Sequence, residues 1–69
     1  MHIHLKKKDQ VKIGLDALMA QDVLVSTIPA EHMSSVLRIM AHTLGIRYRM
    51  MLAAYRKYTK LVDRPWHFE

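Results

Sequence analysis

Apolar side chains in the second half of the chain recur at alternating intervals of three and four residues, beginning at Met33. This spacing places them on one face of a helix. The stripe consists of Met33, Leu37, Met40, Leu44, Tyr48, Met51, Tyr55, Tyr58 and Val62. It predicts helical structure over residues 29–63, with Pro29 in the first turn and Thr27 or Ile28 at the cap. Glu31 in that turn complements the helix dipole.

A shorter stretch in the first half predicts a helix over residues 9–24. Val11, Leu15 and Leu18 share one side of it, and Asp9 is the expected cap. The helical pattern fails at residues 23–25, where β-branched valines occur. Before this helix, apolar and polar residues alternate over residues 1–8, which predicts a short extended arm. The predicted fold is therefore a small all-α domain of a helix, a loop and a helical second half.

Gly45 leaves two arrangements open for that second half. An unbroken helix over residues 29–63 would be about 50 Å long at about 1.5 Å per residue. A compact domain of this size is only about 30 Å across, so such a rod would need a partner chain. Alternatively the helix breaks near residues 43–46, because an interior glycine costs about 1 kcal/mol relative to alanine and is favoured where helices end.

The size of the chain predicts self-association. A chain of 69 residues buries only about 60% of the surface that its unfolded form exposes, so its own core is marginal. It has no cysteine for a disulfide or a Cys-type zinc site, which leaves a homodimer as the expected support. No apolar run approaches the roughly 18 residues of a membrane span, so we expect a cytoplasmic protein with no membrane association. The predicted core and dimer residues are Val11, Leu15, Leu18, Met33, Leu37, Met40, Leu44, Met51 and Tyr55.

The net charge of +5 lies entirely in the second half. In residues 1–36 four lysines balance four carboxylates, whereas residues 37–69 hold seven Lys or Arg against Asp63 and Glu69. Such a surface attracts phosphate backbones, anionic lipid or an acidic protein face. Charge alone does not distinguish these partners.

Residues 37–58 carry a pattern of small and apolar positions that narrows the choice among these classes of partner. Apolar Met40 is followed by Ala41, then by Leu44, Gly45 and Ile46, and later by Met51 and Ala54. This pattern resembles the helix-turn-helix of Fis-type and Cro-type DNA-binding proteins. The run Tyr55-Arg56-Lys57-Tyr58 is similar to the basic, tyrosine-closed ending of the Fis type.

The resemblance implies a function for each position. A small residue at Ala41 lets the second helix cross the first, and Gly45 takes the left-handed conformation of the turn. The second helix then becomes a recognition helix that contacts bases and phosphates. The chain departs from the pattern at Arg47, where a capping Ser, Thr or Asn is usual, and Tyr48 also belongs to the apolar stripe. The implied DNA-binding residues are Arg47, Tyr48, Arg49, Arg56, Lys57 and Lys60.

The unbroken rod predicts a different function for the same surface. Its apolar stripe would form the seam of a helical-hairpin dimer, and basic residues would line the outside. That outer stripe would dock on a host regulatory protein and inhibit or redirect it, as phage and mobile-element proteins do. Pro65 is expected to stop the last helix, and the aromatic tail over residues 64–69 would either fold back on the helices or anchor in the partner. The predicted protein-interaction residues are Arg38, Arg49, Arg56, Trp66 and Phe68.

The remaining candidate chemistry is sparse. Ser34 and Ser35 have no base at a useful spacing, so no enzyme is predicted. His2 and His4 share a face of the arm without a third ligand nearby, so we expect neither a metal nor a cofactor. In a ribbon-helix-helix plan these histidines and Lys6 would enter a DNA groove as a strand, but residues 45–63 would then be unexplained. The sequence therefore predicts a small non-enzymatic regulator that binds duplex DNA as a homodimer. A helical-hairpin dimer that binds and inhibits or redirects a host regulatory protein is the slightly less favoured alternative.

Overall fold

The computed structural model describes residues 5–64 as four α-helices. They are α1 (Lys7–Ala20), α2 (Asp22–Val25), α3 (Ala30–Leu44) and α4 (Tyr48–Leu61). Residues 5–64 contain no strand. The predicted all-α fold is thus confirmed. None of these helices is long and apolar enough to cross a membrane.

The three long helices alternate in direction. Gln10 near the start of α1 bonds to Arg47 just before α4, at 2.9 Å. Asp22, just after α1, accepts a hydrogen bond from the hydroxyl of Tyr58 near the end of α4. Like ends therefore meet like ends, so α1 and α4 run the same way. Helix α3 runs in the opposite direction and brings the chain back to the start of α4.

A single apolar core lies between the helices. Five of the predicted core residues are fully covered, and the other four, Val11, Leu15, Met40 and Leu44, pack against them while remaining partly exposed. Their further use in a dimer stays a prediction. The buried apolar residues are Leu18, Val25, Met33, Leu37, Ala41, Ile46, Met51, Ala54, Tyr55 and Tyr58.

Helices α1 and α4 are in close contact at a pair of small residues. A Cβ atom built on Gly14 would lie 2.9 Å from the Cβ of Ala54 and 3.2 Å from the Sδ of Met51. Real Cβ atoms do not come so close to another carbon. The absence of a side chain at Gly14 is therefore what allows this crossing.

The helical second half breaks at Gly45, and the alternative of an unbroken rod is wrong. Gly45 has φ +72° and ψ +29°, the left-handed conformation. Its amide donates to the carbonyl of His42 at 3.2 Å, and the amide of Ile46 donates to that of Ala41 at 3.0 Å. These two bonds form a Schellman motif, which ends α3. Only Gly45, Ile46 and Arg47 separate α3 from α4.

The first helix differs from its predicted bounds at both ends. It begins at Lys7 with Lys6 at the cap, not with Asp9, which lies in the first turn. The helix predicted over residues 9–24 is interrupted at Gln21, whose φ of −113° departs from helical geometry. The chain then forms the short α2. Leu5 and Lys6 are non-helical, while residues 1–4 of the predicted arm lie outside the described residues.

The cap of α3 is Pro29 itself, rather than Thr27 or Ile28. The hydroxyl of Thr27 donates to the carbonyl of Leu24 at 2.7 Å. The amide of Ile28 donates to the carbonyl of Val25 at 3.2 Å. Both residues therefore belong to the turn that ends α2, and neither is available to cap α3.

The end of α4 is held against α2. Asp63 takes φ 55°, and the amide of Arg64 donates to the carbonyl of Thr59 at 2.8 Å. This reversal carries the guanidinium of Arg64 to 3.5 Å from the carboxylate of Asp22. Asp22 therefore contacts both Tyr58 and Arg64, and fixes the far end of α4.

Candidate nucleic-acid interface

One side of α4 is exposed and carries basic residues near its start and in its second half. Its opposite side carries the buried residues that face α1 and α3. The exposed cations recur at helical spacing, and we call them the basic face of α4. No Asp or Glu occurs between His32 and Val62, so α4 itself contains no carboxylate. The basic face consists of Arg49, Arg56, Lys57 and Lys60.

The start of α4 is capped from another helix. Arg47 is the N-cap residue, with φ −73° and ψ 143°, and its own side chain makes no capping bond. Its amide instead donates to the Oε1 atom of Gln10, whose side chain comes from α1 and is only 8% exposed. The Nε2 atom of Gln10 donates to the carbonyl of Leu5 at 3.0 Å. The guanidinium of Arg47 is thus left exposed beside the turn.

Tyr48 lies where α3 meets α4. It is half-buried and packs against the apolar core. The guanidinium carbon of Arg38, from α3, stands 4.2 Å from the centre of its ring, a cation–π contact. The ring therefore supports a cation of the neighbouring helix while remaining part of the core. This contact places Arg38 near the start of α4, although the sequence grouped it with the protein-binding residues.

The structure brings the predicted DNA-binding residues together on one helix. Arg47 caps α4, and the four residues of the basic face follow along its exposed side, whereas Tyr48 lies partly inward. Of the predicted protein-interaction set, Arg38 is on α3 beside Ile39 and His42, around an open depression. Arg49 and Arg56 belong to both sets. Trp66 and Phe68 lie outside the described residues.

A second polar cluster, which the sequence did not predict, holds the far end of α4. The hydroxyl of Tyr58 donates to Asp22, and the ring of Tyr58 stacks on that of Tyr55 at 5.9 Å between centres. Burial and the hydrogen bond to Asp22 raise the pKa of Tyr58 to about 12. Burial also raises the pKa of Tyr55. Only the tyrosines gave a sequence signal, as members of the apolar stripe.

The described part of the chain contains no cluster suited to a metal. No three His, Cys, Asp or Glu side chains of residues 5–64 lie together in a way that could hold an ion. His2 and His4 fall outside this range.

No family model, curated protein or solved structure matches the chain. The resemblance to Fis-type and Cro-type proteins accordingly stays a prediction.

Proposed function

We propose that this protein is a non-enzymatic regulator that binds duplex DNA as a homodimer, with α3 and α4 acting as a helix-turn-helix. The observation that carries the proposal is the three-residue turn at Gly45, which joins two core-packed helices and leaves the second with a basic outer face. In the corresponding DNA-binding plan, the second helix lies in the major groove and its first residues contact base edges.

The dimensions and chemistry of α4 suit this use. Its 14 residues make a cylinder about 21 Å long, and the major groove, about 12 Å wide, admits a helix. Arg47 and Arg49, at its start, carry the planar guanidinium groups that bind guanine through two hydrogen bonds. Lys57 and Lys60 lie further along and suit phosphate oxygens. Arg38 on α3 adds a cation at the same end.

The homodimer in this proposal is supported by exposed apolar side chains. Val23 is 79% exposed, Leu24 63% and Ile39 66%. A two-fold dimer would cover part of this surface and would present two recognition helices to half-sites about 34 Å apart. Sedimentation equilibrium should then give twice the 8.1 kDa of the chain. A monomer at all micromolar concentrations would remove the dimer from the proposal.

The DNA-binding proposal is tested by fluorescence anisotropy with a pool of duplex DNA at low salt. We expect binding that weakens steeply with salt, because bound phosphates release counterions. Arg47→Gln and Arg49→Gln should each weaken binding about tenfold, the effect of losing about 1.4 kcal/mol, within the range of one bidentate base contact. Lys12→Gln is the matched control, because this variant also removes one positive charge. That charge lies on an exposed lysine of α1, which is paired with Asp16 at 3.0 Å. Absence of binding at low salt would refute the proposal.

Binding of a host regulatory protein is the second candidate function. Ile39 is exposed on α3 between Arg38 and His42, which combines an apolar contact with the positive charge of Arg38, and this suits an acidic partner. This candidate predicts a one-to-one complex with a single protein from the native host, lost on Ile39→Asp and on Trp66→Ala. If the protein binds DNA and captures no stoichiometric protein partner from the native host, this second candidate function is excluded.

A further inference from the structure

The side chain of Gln10 joins two parts of the chain that are far apart in sequence. Its amide oxygen accepts a hydrogen bond from the amide of Arg47 at 2.9 Å. Its amide nitrogen donates to the carbonyl of Leu5 at 3.0 Å. The buried side-chain amide of Gln10 thus bridges the backbone just before α1 and the backbone just before α4. The starts of these two helices lie side by side at one end of the molecule.

Exposed lysines surround the start of α1. Lys6 caps the helix, and Lys7 and Lys8 form its first two positions, all three exposed. Lys7 lies three residues before Gln10 and seven before Gly14, so it shares the face of α1 that packs on α4. The lysines of the first half therefore do not simply cancel the acidic residues there. Because Gln10 holds Arg47 beside this end of α1, these lysines add positive charge next to Arg47.

These lysines do not serve the stability of α1. The start of a helix carries the positive end of its dipole, so lysine is disfavoured there and aspartate is favoured. Asp9 is the one acidic residue in the first turn of α1, and the first turn of α4 has none. Cations that repel one another at this end are stabilised when a polyanion binds across them.

We propose that Lys6, Lys7 and Lys8 join Arg47 in one phosphate-binding surface, held together by Gln10, that binds the DNA backbone beside the groove entered by α4. This inference rests on the proposed DNA-binding function and extends its interface to α1. Lysine ammonium groups bind phosphates as point charges and do not read bases. The contribution of α1 is therefore to affinity and orientation, while α4 supplies sequence preference.

The test compares the salt dependence of DNA binding in the full-length protein and in the triple variant Lys6→Gln, Lys7→Gln and Lys8→Gln. The plot of log affinity against log salt should become shallower by about 0.9 for each lysine that contacts a phosphate. Affinity should fall by the same factor for a preferred duplex and for an unrelated one, because these contacts are independent of sequence. Lys12→Gln, one charge removed further along α1, should leave the slope unchanged.

The outcomes separate this inference from the proposed function. If the wild type binds duplex DNA and Arg49→Gln weakens binding, but the triple variant keeps the wild-type slope, the inference is wrong and the proposed function stands. If the wild type binds no duplex DNA, or binds only RNA, both are wrong. Circular dichroism checks that the triple variant folds. Should it not fold, Lys7→Gln alone decides the matter through a slope change of about 0.9 or none.

Discussion

Gly14 and Gly45, the two glycines of the chain, are required for different physical reasons. At Gly14 the limit is space, since an added Cβ would lie 2.9 Å from the Cβ of Ala54, which belongs to a helix and cannot rotate away. Gly14→Ala gains about 1 kcal/mol in helix propensity, but overpacking of a core costs about 1–3 kcal/mol. We expect a net loss of stability in urea unfolding. An unchanged or raised midpoint would show that α1 and α4 can separate freely.

At Gly45 the limit is backbone conformation. Nothing lies within 4 Å of an added Cβ, but φ is +72°. Gly45→Ala should therefore cost about 1–2 kcal/mol, the penalty for an L-residue in the left-handed region. Gly45→Asn should cost less, because asparagine tolerates that conformation. Thermal unfolding of the pair measures the difference, and equal losses would contradict a purely conformational cause.

The raised pKa of Tyr58 predicts alkaline destabilisation. Its pKa is about 12 in the folded protein, against about 10 in an unfolded chain. The protonated hydroxyl is thus favoured by folding, so its stabilising effect is complete below about pH 10 and is lost as the pH rises through 12. Unfolding free energies measured across this window should fall with pH. The fall should be shallower in Tyr58→Phe, which lacks the ionisable group.

Tyr58→Phe also measures the hydrogen bond itself. The ring is fully buried and phenylalanine fills the same space, so the main loss is the bond to the carboxylate of Asp22. At neutral pH we expect a cost of about 1.5–3 kcal/mol, the range for a hydrogen bond to a charged group. Asp22→Asn is the companion variant, because it keeps an acceptor but removes the charge. A neutral effect of Tyr58→Phe would mean that Arg64 alone satisfies Asp22.

At the scale of elements, Gln10 connects α1 to the turn before α4. Gln10→Leu keeps the side-chain size but removes both hydrogen bonds, so we expect a loss of about 1–3 kcal/mol and faster hydrogen exchange of the Arg47 amide. Gln10→Glu keeps an acceptor for that amide and loses the donor to Leu5. Its Arg47 amide should therefore remain protected. Equal exchange in the two variants would show that Gln10 does not hold the turn.

The helical parts of this fold were predictable because their signals are local. The apolar stripe from Met33 onward places α3 and α4, and Gly45 marks the break because glycine alone adopts its conformation without cost. The interruption at Gln21 carries no such signal, since neither proline nor glycine stands there. The cap at Pro29 was misplaced because Thr27 uses its hydroxyl within α2.

The candidate site was predictable only in part, for the same reason. In α4 the basic residues and the apolar stripe both recur at helical spacing. The sequence of this one helix therefore predicts its buried face and its basic face. The bond from Gln10 to Arg47 spans 37 residues and joins an ordinary glutamine to a backbone amide. The contact of Arg38 with Tyr48 likewise depends on the angle between α3 and α4. Neither leaves a pattern in the sequence, so the convergence of α1 and α4 required the structure.

At the scale of the whole molecule, the uneven charge should act on stability and on binding in opposite directions. The chain carries a net charge of +5, and all of the excess lies in residues 37–69. Self-repulsion among these cations destabilises the folded state when salt is low, because the Debye length is then about 30 Å at 0.01 M. The ion pairs of Lys12 with Asp16 and of Arg64 with Asp22 act in the opposite sense. Exposed pairs contribute only about 0–1 kcal/mol each, so repulsion should dominate.

Raising the salt concentration to about 0.15 M shortens the screening length to about 8 Å. The thermal midpoint should therefore rise, while affinity for DNA falls. Arg49→Gln removes one of the repelling charges, so at low salt it should stabilise the protein by up to about 0.5 kcal/mol even as it weakens DNA binding. Lys12→Gln should do neither, because it removes a paired lysine on α1. If Arg49→Gln instead lowers the thermal midpoint, Arg49 stabilises the fold. Its position at the start of α4 is then explained by stability and not by DNA binding.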